Sequence, residues 1–149
     1  MLIRRGMNLR SNPGEIAFPG GRVEPGESPL GAALREAFEE VALDPSAVRL
    51  LGELPAVSRV SRPEPIAAFV VAVAGEPLLT PNPDEVDDIL ITPLAELVDP
   101  SVYWEELWRR PDGIVWRMSF FDLGDDLLWG ASARILVSLF ERLAAITTI

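Results

Sequence analysis

Residues 18 to 43, FPGGRVEPGESPLGAALREAFEEVAL, constrain this chain more than any other stretch. They run from a Pro-Gly-Gly turn into one helix carrying Glu36, Glu39 and Glu40. Positions three and four apart share a helical face, and at 3.6 residues per turn the three carboxylates lie within about 100° of arc. Like charges so close repel and weaken the helix; a divalent cation turns the same repulsion into a set of hard oxygen ligands. Standing alone, three such glutamates are most simply a solvated acidic face. Ser28-Pro29 is a good helix start, an N-cap followed by proline at the first helical position. Leu30, Ala33, Leu34, Ala37 and Val41 then form an apolar stripe predicted to lie away from the glutamates. The helix is predicted to end near Ala42, ahead of Asp44-Pro45. If Ala42 takes the left-handed position where glycine is favoured, it costs on the order of 1 kcal/mol; an end one residue away is the alternative.

The rest of the composition narrows the chemistry. The chain has no histidine and no cysteine, which removes the commonest general base, the commonest zinc ligand and all thiolate or disulfide chemistry. Acid–base or metal work falls to Asp and Glu. Every basic residue is arginine, and the formal charge is −10. So acidic a chain is a poor general binder of nucleic acid, because phosphate neutralisation supplies most of that affinity. No apolar run is long enough to cross a bilayer, and the N-terminus lacks a signal-peptide pattern, so a cytoplasmic location is the default expectation. At 149 residues, one domain burying roughly 70% of its unfolded surface is expected.

Taken in order, residues 1 to 5 read as the end of a strand and Ile16 to Phe18 as a short one, stopped by Pro19-Gly20-Gly21. The two glycines fit a tight turn or a close approach to a ligand. Val48 to Leu54, Ile66 to Val73 and Val86 to Ile91 read as strands, the second almost continuously apolar and therefore predicted to be central. Ser58 to Arg62 reads as a surface loop, with a substrate edge as the alternative. Thr92-Pro93 starts a short helix to about Leu97. Tyr103 to Trp116 holds a turn at Pro111-Asp112-Gly113, giving a hairpin or a helix–turn–strand. A last helix is predicted over about Ala131 to Ile146, with Ile135, Leu136, Leu139, Phe140 and Leu143 as its core stripe. The mixture argues for a layered α/β domain.

Gly21, Glu27, Arg35-Glu36, Glu39-Glu40 and Leu43 follow the spacing Gly-x5-Glu-x7-Arg-Glu-U-x-Glu-Glu-x-Gly-U, where U is apolar (here Ala37 and Leu43). Only the second glycine departs, being Ala42. By these residues the chain resembles the Nudix hydrolases. The resemblance implies an α/β/α sandwich with a mixed sheet, in a single domain over residues 1–149. It also implies hydrolysis of a nucleoside diphosphate linked to another group, with Mg²⁺ or Mn²⁺ as cofactor. Carried over by position, Glu36, Glu39 and Glu40 are the expected metal ligands. Arg35 and Glu27 are expected to brace the loop–helix geometry through a charge-assisted pair. A further glutamate from a later loop often supplies another ligand or the general base, and Glu85 is the candidate; an exposed loop carboxylate is the equal alternative.

The segment before this box narrows the resemblance. Leu2, Arg5, Arg10, Gly14, Phe18, Pro19, Gly20 and Gly21 fall on the pattern Leu-Leu-Thr-x-Arg-(Ser/Ala)-x3-Arg-x3-Gly-x3-Phe-Pro-Gly-Gly of the coenzyme A diphosphatases. Met1, Ile3 and Gly6 depart from it. Pro81 to Val86 and Trp129 to Ala133 also resemble that branch. It implies cleavage of coenzyme A to 3′,5′-ADP and 4′-phosphopantetheine. Arg5, Arg10 and Arg22 are the candidate phosphate binders, since arginine offers planar and permanently charged recognition, with Gly20 and Gly21 beside the substrate. Members of the branch carry a strand ahead of the Leu-Leu-Thr pattern, so a sandwich lacking its first strand is one expectation. The implied partner is a small molecule, without nucleic acid or membrane, and a homodimer stays open. Another diphosphate such as ADP-ribose or NADH, or a catalytically silent binding domain, are the rival readings.

Overall fold

In the computed structural model, residues 1–59, 62–110 and 112–147 are described. They form eight strands and three α-helices, so the chain is α/β: β1 (Leu2–Arg5), β2 (Ile16–Ala17), α1 (Pro29–Val41), β3 (Val48–Arg59), β4 (Arg62–Val73), β5 (Val86–Leu90), α2 (Leu94–Leu97), β6 (Tyr103–Arg109), β7 (Val115–Asp122), β8 (Leu127–Trp129) and α3 (Gly130–Thr147). Two compact units emerge, Met1–Glu53 with Phe69–Ile91, and Leu54–Ala68 with Thr92–Ile149. Strands β3 and β4 contribute residues to both.

The first unit holds a three-stranded sheet in the order β2-β1-β5. β1 is antiparallel to both neighbours, with Ile3 opposite Ala17 on one side and Ile89 on the other. Successive residues of a strand point to opposite faces, and Leu2 and Ile3 are both buried, so both faces of β1 are covered. The register slips between Arg4 and Arg5. Such irregularities re-aim a side chain: Arg5 stays paired with Val86 while its guanidinium reaches Glu40 of α1. Ile3, Val86 and Leu43 pack with Ala37 and Val41 of α1 to form the core of this unit.

Helix α1 forms where its caps allow. Ser28 has extended backbone, and its Oγ accepts the Gly31 N–H at 3.0 Å; Pro29 follows as the first helical residue. At the other end Ala42 takes φ 57° and ψ 27°, its N–H donating to Phe38 O and that of Leu43 to Ala37 O. The left-handed end expected of a glycine is thus made by alanine.

Several expectations need correction. The apolar stripe of α1 is not separate from the glutamates, because Glu40 is as buried as Val41. β4 is not central: among the described residues its sheet has two strands, β3 and β4. Both strands extend further than the apolar runs because the ladder, not hydrophobicity, sets their ends. They cover most of the stretch read as a surface loop, of which residues 60 and 61 lie outside the described residues. Among the described residues β1 with β2 and β5, and β7 with β6 and β8, pair antiparallel, within the α/β fold that was expected.

The second unit holds β6-β7-β8. Of the two options for Tyr103 to Trp116, the hairpin forms, with Arg110 donating to Ile114 O at 2.9 Å across the turn; Pro111 lies outside the described residues. Met118, Phe120, Phe121 and Leu128 are buried with Ala133 and Leu136 of α3, and the Phe121 ring meets Phe140 edge-on at 6.4 Å. Leu143, predicted to be core, is 44% exposed, because with Phe140 it lines an open groove against Leu94 and Val98. Among the described residues no helix is long and apolar enough to cross a membrane.

Candidate active site

The loop before α1 and the acidic side of the helix are tied together by one arginine. Arg35 Nε donates to Glu27 Oε1 at 3.0 Å and its Nη2 to Glu27 Oε2 at 3.1 Å. This is the bidentate pairing that fits a planar fork to a carboxylate. Nη2 also reaches the Arg22 carbonyl at 3.0 Å. Nη1 contacts Glu36 at 3.0 Å and Glu39 at 3.1 Å. Four residues spread over eighteen positions are therefore clamped at one point. The pairing with Arg35, backed by the Glu24 N–H, holds the Glu27 carboxyl below its usual range. The hydrogen bonds to Glu27 and Glu36 raise the already high pKa of Arg35.

Glu40 points the other way. It is 2% exposed, with Oε2 accepting the Gly20 N–H at 2.9 Å and Oε1 lying 4.0 Å from Arg5 Nη1. Burial pushes its pKa up to about 7; the neighbouring carboxylates Glu36 and Glu85 add to the rise, against the pull of the Gly20 N–H and Arg5. The Nε of Arg5 is itself buried without a hydrogen-bond partner among the described residues. A buried carboxylate this poorly neutralised carries an electrostatic demand for positive charge.

The glycines matter here for closeness. Gly20 has φ 154°, a backbone that side chains rarely adopt, and this presents its N–H to Glu40. A Cβ on Gly21 would collide with the Glu36 carboxylate. The loop carrying Glu85 is strapped to the end of α1, with Thr80 donating to Val41 O and Asn82 to Glu40 O. Asn82 then turns the chain, its carbonyl accepting from Glu85 and Val86 and its side chain from Asp84. Gly6 fixes the loop from the other side, its N–H donating to Glu85 O at 2.8 Å. Neither Gly6 nor Asn82 stands out in the sequence as a site residue; an asparagine between two prolines is the signal of a turn that could have found the second.

The structure thus gathers Glu27, Arg35, Glu36 and Glu39 around one guanidinium, and Arg5, Gly20 and Glu40 just behind, with Glu85 within electrostatic reach. It leaves Arg10 and the Arg22 side chain exposed, with no ion-pair partner among the described residues. The NUDIX domain model matches residues 1–111. An uncharacterised Nudix hydrolase, NudL, of Escherichia coli O7:K1 is 34% identical over 145 residues, covering 93% of this chain and 72% of that protein. The chain belongs to the Nudix family. The NudL protein of E. coli K12 gives the same figures. Nudix hydrolase 3 of Caenorhabditis elegans is 37% identical over 101 residues, 66% of this chain and 42% of that one.

This Nudix chain is therefore a hydrolase of diphosphate bonds in nucleoside diphosphate derivatives, and its family generally works with divalent metal ions. The donor set here fits such an ion. It is carboxylate only, which suits hard divalent cations, and Glu40 is buried with less positive charge around it than it needs. Among the described residues no three acidic side chains converge in ligand geometry. The reason is visible: Arg35 takes up Glu36 and Glu39, while Glu40 faces Gly20.

Proposed function

We propose that this Nudix hydrolase cleaves the diphosphate of coenzyme A and its derivatives, giving 3′,5′-ADP and 4′-phosphopantetheine or its acyl form. The supporting observation is the way the upstream segment is built into the site. The segment carrying the coenzyme A pattern is hydrogen-bonded through Arg5, whose N–H donates to Glu15 O and whose carbonyl accepts from Gly14, each at 3.0 Å. It then closes on Glu40 through both Arg5 and Gly20. Pattern and box are parts of one structure.

Glu36, Glu39 and Glu40 would hold Mg²⁺ or Mn²⁺, with Glu85 as a further ligand or as the base. The ion would supply charge neutralisation and Lewis acidity to the bound diphosphate. Water attacks one phosphorus, the bond from that phosphorus to the bridging oxygen breaks, and the water proton passes to a carboxylate, for which Glu85 is the candidate. Arg35 and Glu27 hold the helix and loop in register. Arg10 and Arg22, exposed and without ion pairs among the described residues, are the candidates to meet anionic oxygens such as the 3′-phosphate. The site lies within one unit of the chain, and we take residues 1–149 to act as one Nudix domain in the cytoplasm.

The test is turnover by the purified protein with Mg²⁺ or Mn²⁺ of a panel of coenzyme A, acetyl-coenzyme A, ADP-ribose and NADH. Preferred hydrolysis of the first two is expected. Turnover of ADP-ribose with coenzyme A untouched would contradict the substrate assignment and leave the family unaffected. Binding of these compounds without any turnover would mean a silent domain.

A further inference from the structure

The edge strand β6 carries three exposed large apolar side chains. Leu107 is 72% exposed, Trp108 42% and Trp104 39%. The two indoles lie on the Phe120 side of the hairpin, Trp104 stacked on Phe120 at 5.3 Å and Trp108 6.0 Å from it. Glu106 accepts from both indole N–H groups, at 3.2 and 2.7 Å, which fixes the strand face.

The ladder shows which backbone groups are free. Arg110 bonds across to Ile114, and the register runs on without a slip, through Trp108 opposite Trp116 to Trp104 opposite Phe120. In a regular antiparallel ladder alternate residues face the neighbour, so Trp104, Glu106 and Trp108 direct their backbone groups to β7. Glu105, Leu107 and Arg109 direct theirs outward. Among the described residues β7 is the one strand paired with β6. An exposed apolar edge with unpaired ladder groups is a template for another strand.

We propose that β6 pairs antiparallel with β6 of a second copy of this chain, with Leu107 on the twofold axis. The sequence of the strand, YWEELWR, is complementary to itself in that register. Glu105 falls opposite Arg109 of the second copy, and by symmetry the pair occurs twice. Glu106 falls opposite Trp108, and Leu107 meets Leu107. A twofold on Glu105 or Glu106 would set a carboxylate against itself, which is unfavourable for directly opposed like charges. Arg109 has no ion-pair partner among the described residues, whereas Glu105 meets Arg117 at 3.2 Å from its own hairpin and would join the new pair as a network. With a net charge of −10, indiscriminate association is opposed, so one complementary register is what a specific contact requires.

Sedimentation equilibrium of the full chain tests this, with circular dichroism confirming the fold of each variant. Wild type is expected to show a concentration-dependent monomer–dimer equilibrium. Leu107→Lys and Arg109→Glu are each expected to weaken it by about tenfold or more, while the exchange Glu105→Arg with Arg109→Glu restores it to within about threefold, tenfold being some 1.4 kcal/mol. A wild-type chain that stays monomeric up to about 1 mM would overturn the proposal. So would a dimer indifferent to both single substitutions, or a double exchange that fails to restore what the single one loses.

Discussion

Glu40 and Gly21 show how finely single residues are fitted in this site. In the metal-free protein the folded state holds the Glu40 proton up to about pH 7, whereas an unfolded glutamate releases it near its ordinary pKa of about 4.3. Between these values the folded chain binds more protons than the unfolded one. Stability therefore falls as pH rises through that window, by up to about 4 kcal/mol from this group, and is level above it. Urea denaturation at pH 5 and pH 8 in chelator is the check, and added Mg²⁺ is expected to recover part of the loss at pH 8. Glu40→Gln keeps an acceptor for the Gly20 N–H and removes the buried charge. It is expected to abolish turnover while leaving stability at pH 8 unchanged or higher. Gly21→Ala separates site from fold in another way. The added Cβ meets the movable end of Glu36 rather than backbone, so the melting temperature should hardly change. Turnover should fall on the order of 100-fold, the usual effect of displacing a working group by about an ångström.

Among the elements, α1 is the one whose limits follow from its own residues. Ser28 and Pro29 start it and Ala42 ends it, all by local backbone chemistry that a sequence displays. Ala42 at φ 57° predicts that Ala42→Gly stabilises the chain by about 1 kcal/mol, read as a higher urea midpoint with unchanged slope. Ser28→Ala should cost about 1 kcal/mol by losing the bond to Gly31. The strands were less legible. β3 and β4 outrun their apolar segments because ladder pairing is a tertiary fact. The burial of Glu40 was hidden for a related reason: helical periodicity places it beside Glu36 and Glu39, and only docking of Arg5 and the Gly20 turn encloses it. Of the clamp on Arg35, only the pairing with Glu27 was expected, from the family resemblance; its hold on Glu36, Glu39 and the Arg22 carbonyl was not, nor was the strap of Thr80 and Asn82 onto α1, which consists of backbone bonds.

For the molecule as a whole, the pattern of carboxylates and glycines identified the family, and the match over residues 1–111 agrees with it. Substrate choice is a separate matter, which the proposed function assigns to arginines in and next to the upstream segment. Arg5 is turned inward to Glu40, a placement that its position in a phosphate-binding pattern does not suggest. Arg10 and Arg22 are the outward charges. Arg10→Ala and Arg22→Ala are accordingly expected to raise KM for coenzyme A several-fold more than for its 3′-dephospho form, measured by steady-state kinetics. Hydrolysis of coenzyme A in ¹⁸O-labelled water, followed by mass spectrometry of both products, tests the central claim most directly. The expected result is 3′,5′-ADP and 4′-phosphopantetheine, with one labelled oxygen in one of the two and none formed by Glu40→Gln. Intact coenzyme A after incubation with metal, or unchanged cleavage by Glu40→Gln, would contradict it.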